Sequence, residues 1–185
     1  MSQSQASHET PFCTKYKALI FDLDGTAIPN RPDGMPSENL VNVVTELQRN
    51  MRVCAATGRA WFNSKEIIRK LGLYDPCIVS GGAQIIEPES EKTLWQKAMG
   101  QPQVESIMTV ARQFPYKMSF SDDEIAGPAE RKLIQGLERI IYILSVSRKD
   151  TDVILGQIRQ IPAITAYETK SWTPDHCVFS AELRN

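Results

Sequence analysis

An unbroken apolar run, Ala18 to Phe21, leads straight into Asp22-Leu23-Asp24-Gly25-Thr26. A run so short and so uniformly apolar reads as a strand buried on both faces, as in a parallel sheet. The pattern recurs twice. Met51 to Ala56 is a second apolar run, ending in Thr57-Gly58-Arg59, and Cys77 to Ser80 is a third, closed by Gly81-Gly82. Between these runs the apolar period changes. Ile28 to Met35 is a loop rich in Pro, Asn, Asp and Gly. Ser37 then offers an N-cap to a helix with Leu40, Val43, Val44 and Leu47 on one side. A second helix carries Phe62, Ile67, Ile68 and Leu71, and Gly72 stops it. Strand–helix repeats of this length imply right-handed crossovers and an α/β fold with a parallel sheet.

The second half has another texture. Thr93 to Ala98 and Lys117 to Phe120 read as strands, with a helix over Val104 to Phe114 between them. Ser121 to Pro128 is an acidic loop. Ile140 to Val146 is strongly β-type, Asp152 to Ile161 is amphipathic, and Ala163 to Trp172 with Cys177 to Leu183 form a hairpin-like pair around Thr173-Pro174-Asp175. This is an α+β module with an antiparallel sheet. The polar, Pro-bearing stretch Ala83 to Glu91 marks the boundary. The expected organisation is a flexible tail over 1–14, an α/β core over 15–82, an α+β module over 83–176 and a return toward the core over 177–185.

Composition narrows the function classes. The 185 residues carry a net charge of -1, which argues against nucleic acid or a charged membrane surface as a partner. No apolar run approaches the roughly 20 residues a membrane helix needs, and the N-terminus lacks the features of a signal peptide. Cys13, Cys54, Cys77 and Cys177 form no CxxC pair, so zinc is not expected. Reduced thiols and a cytoplasmic location are the default reading.

The chemistry concentrates where strands end. Two carboxylates, Asp22 and Asp24, at the carboxyl end of a parallel strand face the crevice where such sheets bind ligands. One can act as a nucleophile toward phosphorus and the other can move protons. Together they suit Mg²⁺, which takes one or two carboxylates, waters and a phosphate oxygen. An Asx-type turn is the bland alternative for Asp-Gly. One βα unit later, the Thr57 hydroxyl and the Gly58 N–H can hold a phosphate at a positive helix terminus. Arg59 can reach the phosphate or the rest of the substrate. Trp61, Phe62, Trp95 and Trp172 read as packing residues first and pocket residues second.

Residues 18–82 resemble the haloacid dehalogenase superfamily of phosphohydrolases. FDLDGT is similar to its first motif and ATGR to its second, and SGGAQI, Ser80 to Ile85, resembles the segment where Cof-type members leave the core for an inserted cap. The resemblance implies a Rossmann-like core with an α+β cap, and a Mg²⁺-dependent phosphatase of small phosphomonoesters such as sugar phosphates. It makes Asp22 the nucleophile and Asp24 the general acid/base. The Asp22 carboxylate and the Asp24 carbonyl become metal ligands, and Thr57, Gly58 and Arg59 the phosphate site. The cap would set specificity by covering that site.

The chain departs from the family in its second half. The family's third motif, a lysine after the cap, and its fourth, a GDxxxD-like segment, are not visible before Asn185. Ser121-Asp122-Asp123-Glu124 is a poor substitute, and Lys117 and Lys170 are no better. The expectations are a chain cut before these motifs, an incomplete core sheet with the Ala18–Phe21 strand at its edge, and impaired turnover. A phosphomutase, a non-catalytic binding or regulatory remnant, and completion of the sheet by an oligomer or another chain in trans are the alternatives.

Overall fold

The computed structural model describes residues 16–120, 123–126, 138–170 and 176–183. The expected tail, Trp172 and the turn over 173–175 lie outside them, as do Ser121 and Asp122.

The first half is an α/β unit. Strand β1 (Ala18–Phe21) pairs in parallel with β2 (Arg52–Ala55), with Phe21 opposite Ala55. Helix α1 (Glu38–Leu47) joins them; the Ser37 hydroxyl accepts the Leu40 N–H at 3.3 Å, so the N-cap falls at Ser37 as the sequence indicates. Helix α2 (Trp61–Lys70) leads from β2 to β3 (Cys77–Val79) and ends before Gly72, whose φ of 67° is the left-handed turn that glycine adopts freely. A parallel bridge, Ala56 to Ile78, ties β2 to β3. Leu23, Val53, Ala55, Ile67, Ile68 and Leu71 pack together beneath the sheet. Removing a side chain such as Ile68, which is fully buried, costs about 2–5 kcal/mol.

Two boundaries differ from those expected. Strand β4 (Gln84–Glu87) pairs antiparallel with β3 and β5 (Lys92–Gln96) antiparallel with β4, so residues 84–96 form a three-stranded sheet with β3, tied to β2 by the Ala56–Ile78 bridge. The Pro-bearing stretch read as a linker contains β4. Its alternation of buried and half-buried residues gives the Ile85–Ile86 pair a sheet to join. At the other end β10 (His176–Leu183) does not return to the core. It lies in the cap sheet between β8 (Ile140–Ser147) and β9 (Ile164–Lys170).

The cap is one antiparallel sheet in the order β7-β6-β8-β10-β9, with β6 at Met118–Phe120 and β7 at Asp123–Ala126. The stretch expected as an acidic loop thus contains a strand, at the edge farthest from β9. Helices α3 (Gln101–Ala111) and α4 (Arg148–Ile158) cover one face, where Ile107, Met118, Phe120, Ile141, Ile143 and Ile154 form a second apolar core. Each half therefore buries its own core.

Strand β1, like β5, is largely exposed. Its pattern is exposed along three of its four residues, with Leu19 38% and Ile20 55% exposed. Successive residues face opposite sides of a strand. Both faces of an entirely apolar strand are thus in contact with solvent, and among the described residues only one of its edges is paired.

Candidate active site

Asp22 and Asp24 sit just past the end of β1. Leu23 between them is fully buried, which anchors the turn and leaves Asp22 exposed and Asp24 half-buried. The turn closes tightly: the Leu23 carbonyl accepts the N–H groups of Thr26, Ala27 and Ile28 at 3.2, 2.9 and 2.9 Å. Gly25, at φ 75°, supplies the left-handed residue this loop needs.

The partner loop follows β2. The Ala56 N–H donates to the Phe21 carbonyl at 2.9 Å, so Thr57 starts beside the aspartates. Thr57 is buried. Its N–H donates to the Ile78 carbonyl at 3.0 Å and its hydroxyl oxygen accepts the Arg59 N–H at 3.1 Å, leaving the hydroxyl proton to be donated. Gly58 has open space where a Cβ would be. Helix α2 begins immediately after, and its N-cap residue, Ala60, gives no side-chain hydrogen bond. Its first-turn N–H groups and the helix dipole therefore face the loop without a side-chain cap, an arrangement that favours an anion.

Arg59 faces Asp24. Its Nε donates to Asp24 Oδ2 at 2.8 Å and a terminal nitrogen donates to Asp24 Oδ1 at 2.6 Å, a bidentate pair. The guanidinium also donates to the carbonyls of Arg31 at 3.2 Å and Asn63 at 3.4 Å. In this arrangement Arg59 orients the acid/base candidate and ties down the loop after it. The sequence left Arg59 to reach either the phosphate or the rest of the substrate.

The donor set suits a hard cation only in part. Asp22 is a free-standing exposed carboxylate and the Asp24 carbonyl is close by in the chain, whereas both Asp24 carboxylate oxygens are held by Arg59. Among the described residues no group of three or more His, Cys, Asp or Glu gathers around a metal position. One carboxylate with a carbonyl, waters and a phosphate oxygen is still an acceptable Mg²⁺ environment.

The cap contributes residues that sequence reasoning did not single out. The Tyr142 hydroxyl donates to the Gly58 carbonyl. The Tyr167 hydroxyl donates to Glu182 Oε2 at 3.4 Å, and a Cβ built on Gly81 would lie 2.8 Å from that hydroxyl and 2.9 Å from the Glu182 oxygen. Burial pushes the Glu182 carboxyl above its ordinary range, with the Tyr167 hydrogen bond opposing. Burial likewise raises the Tyr142 phenol, aided by Tyr167 and Glu182. Ser80, beside these groups, is fully buried at φ 55°, and its hydroxyl has no partner among the described residues. The strand pattern of β8 and β9 placed these tyrosines on a sheet; nothing in it said which face met the core. Of the aromatics weighed from sequence, Trp61 is core, while Phe62 and Trp95 are exposed.

The chain matches the model of the haloacid dehalogenase-like hydrolases over residues 19–171. It belongs to that family. No curated protein sequence matches it. Among solved structures, it is similar to a haloacid dehalogenase-like hydrolase from Bacteroides thetaiotaomicron, with a TM-score of 0.72 and 15% identity, covering 91% of this chain and 71% of that one. A haloacid dehalogenase-like hydrolase from B. subtilis gives 0.71 and 16%, covering 91% and 74%. The subclass IIB sugar phosphatase BT4131 gives 0.64 and 15%, covering 92% and 71%. At these identities the structures speak for the fold. Among the described residues no helix is long and apolar enough to cross a membrane.

Proposed function

We propose that this hydrolase is a Mg²⁺-dependent phosphatase of small phosphomonoesters, sugar phosphates among them, acting through an aspartyl-phosphate. The observation that carries the reading is the convergence of exposed Asp22, the Thr57 hydroxyl and the α2 N-terminus without a side-chain cap at the carboxyl ends of two adjacent parallel strands. The named function of BT4131, a sugar phosphatase, supports the substrate class.

Asp22 supplies the nucleophilic oxygen. It forms a bond to phosphorus as the bond to the leaving oxygen breaks, and that oxygen takes a proton from the Asp24 carboxyl. Water then attacks the phosphorus, gives its proton to Asp24, and frees Asp22 and inorganic phosphate. Turning the Asp24 carboxyl toward the leaving group requires Arg59 to release at least one oxygen. Thr57 and the α2 terminus hold the phosphoryl oxygens. Bound Mg²⁺, held by the Asp22 carboxylate and the Asp24 carbonyl, would neutralise phosphate charge.

The test is phosphate release from a generic phosphomonoester. The expected result is release that requires Mg²⁺ and disappears in Asp22→Asn. Transfer of the phosphoryl group to a second sugar, with no free phosphate, would identify a mutase instead. A binding-only protein is the second reading, favoured by the Arg59 lock on Asp24 and the sparse carboxylate set. It predicts that phosphate analogues bind while no phosphate is released.

A further inference from the structure

The hairpin turn between β4 and β5 ends at Glu91, whose φ of 56° lies in the left-handed region that glycine enters most freely. From there its carboxylate reaches α2. Oε2 accepts the indole N–H of Trp61 at 3.3 Å. Oε1 lies 2.7 Å from Lys65 Nζ and accepts an N–H of the Arg69 guanidinium at 2.6 Å. Residues 61, 65 and 69 are spaced by four, so these donors form one stripe along the helix. A single side chain from the hairpin thus spans two turns of α2. The turn that presents it is itself braced: the Ser90 hydroxyl donates to the Glu87 carboxylate and accepts the Lys92 N–H at 3.3 Å.

The stripe starts at the phosphate end. Trp61 is the first residue of α2 and follows Ala60, which gives no side-chain cap. The loop before it is pinned by β3's end: the Arg59 carbonyl accepts the Ser80 N–H at 2.7 Å and the Thr57 carbonyl accepts the Gly81 N–H at 3.3 Å. Arg59 also donates to the Asn63 carbonyl in the first turn of α2 at 3.4 Å, so a shift of the helix carries the guanidinium with it. We propose that Glu91 is a positioning residue: it seats the N-terminus of α2, and through it the 57–59 loop, where that loop can hold a phosphoryl group. This rests on the phosphatase reading of the Asp22–Thr57 site. Two features mark a role in position rather than in charge. A carboxylate near the start of α2 opposes a bound anion, and here Lys65 and Arg69 offset it with two cations. A glutamate also stands at a left-handed turn position that glycine would occupy without strain. What glycine lacks is the reach to Trp61.

The test is Glu91→Gly in the full chain, read by its melting temperature, its ¹H–¹⁵N amide spectrum and calorimetric titration with inorganic phosphate in Mg²⁺. Glycine suits this φ, so the melting temperature should stay near that of the wild type. The Thr57, Gly58 and Arg59 amide peaks should shift, and the phosphate Kd should rise about threefold to tenfold, the range of a helix-terminus contact. Loss of a negative charge alone would tighten phosphate binding, whereas loss of the seat weakens it. Glu91→Gln keeps an acceptor for Trp61 and should recover part of the affinity. Phosphate bound equally well or more tightly by Glu91→Gly, or losses that are equal in Gly and Gln, overturn the inference and leave the phosphatase reading standing. If the wild type binds no phosphate, that reading falls and the amide spectrum decides the seat: shifted 57–59 peaks uphold it, and unmoved peaks overturn it. Should Glu91→Gly fail to fold, Trp61→Phe, which keeps a ring and loses the N–H, carries the titration. It should weaken phosphate binding, and unchanged affinity overturns the proposal.

Discussion

At the residue scale the pair between Arg59 and Asp24 sets what the site can do. A bidentate guanidinium fixes the carboxylate in two dimensions, which a lysine point charge cannot. Arg59→Lys is therefore expected to lower kcat about tenfold to a hundredfold, within the range general acid–base groups contribute, with KM nearly unchanged. A rise in KM at constant kcat would instead make Arg59 a substrate contact. Glu182 has a pH signature as well. Its folded carboxyl is raised by burial, so in the window just above the ordinary carboxylate range of about 4.3 the folded state binds more protons than the unfolded one. Stability contributed by this group is thus present below that window and lost as pH rises through it. Thermal melts across pH 4 to 7 should show a shallower decline in Glu182→Gln than in the wild type; parallel curves would remove Glu182 as the cause. The buried thiol of Cys77, pushed up to about 11 by burial, belongs to packing rather than chemistry.

At the scale of elements, β1 leads into Asp22, the proposed nucleophile, and is itself poorly protected. Its alternating residues were read as doubly buried, and the composition of the run supports only that reading. Yet Leu19 and Ile20, on opposite faces, are both exposed, and among the described residues β2 is the one strand paired with β1. An apolar strand with a free edge is a template for pairing. Concentration-dependent association is the expected consequence, and Ile20→Lys should reduce it in light scattering while changing stability by under about 1 kcal/mol, as for an exposed position. Association unaffected by Ile20→Lys would place the contact elsewhere. Helix α2 contrasts with β1. Its start, its Gly72 stop and its buried Ile67 and Ile68 all agree with the sequence period, since a helix on a sheet needs only one covered stripe.

At the scale of the whole molecule, the candidate site lies where two separately cored halves meet. The core brings Asp22, Asp24 and Thr57 to one crevice, and the cap brings Tyr142, Tyr167 and Glu182 to the loops that hold them. Much of the first set was legible in the chain itself. Apolar runs with period-two or continuous patterning, capping serines, stopping glycines and the DxDGT and TGR turns are local signals, and local sterics and hydrogen bonding act on neighbours in sequence. Those signals sufficed for the α/β class, and they marked Asp22 and residues 57–59 as the candidates on which the proposed function rests. The tertiary structure alone decided the rest. It turned Arg59 onto Asp24 across 35 residues of sequence, joined β4 and β5 to the core rather than the cap, kept β10 in the cap sheet, and delivered Tyr142 to Gly58 across 84 residues. Each of these depends on which faces meet when sheets and helices pack, and no period in a single strand records the identity of the surface it will cover.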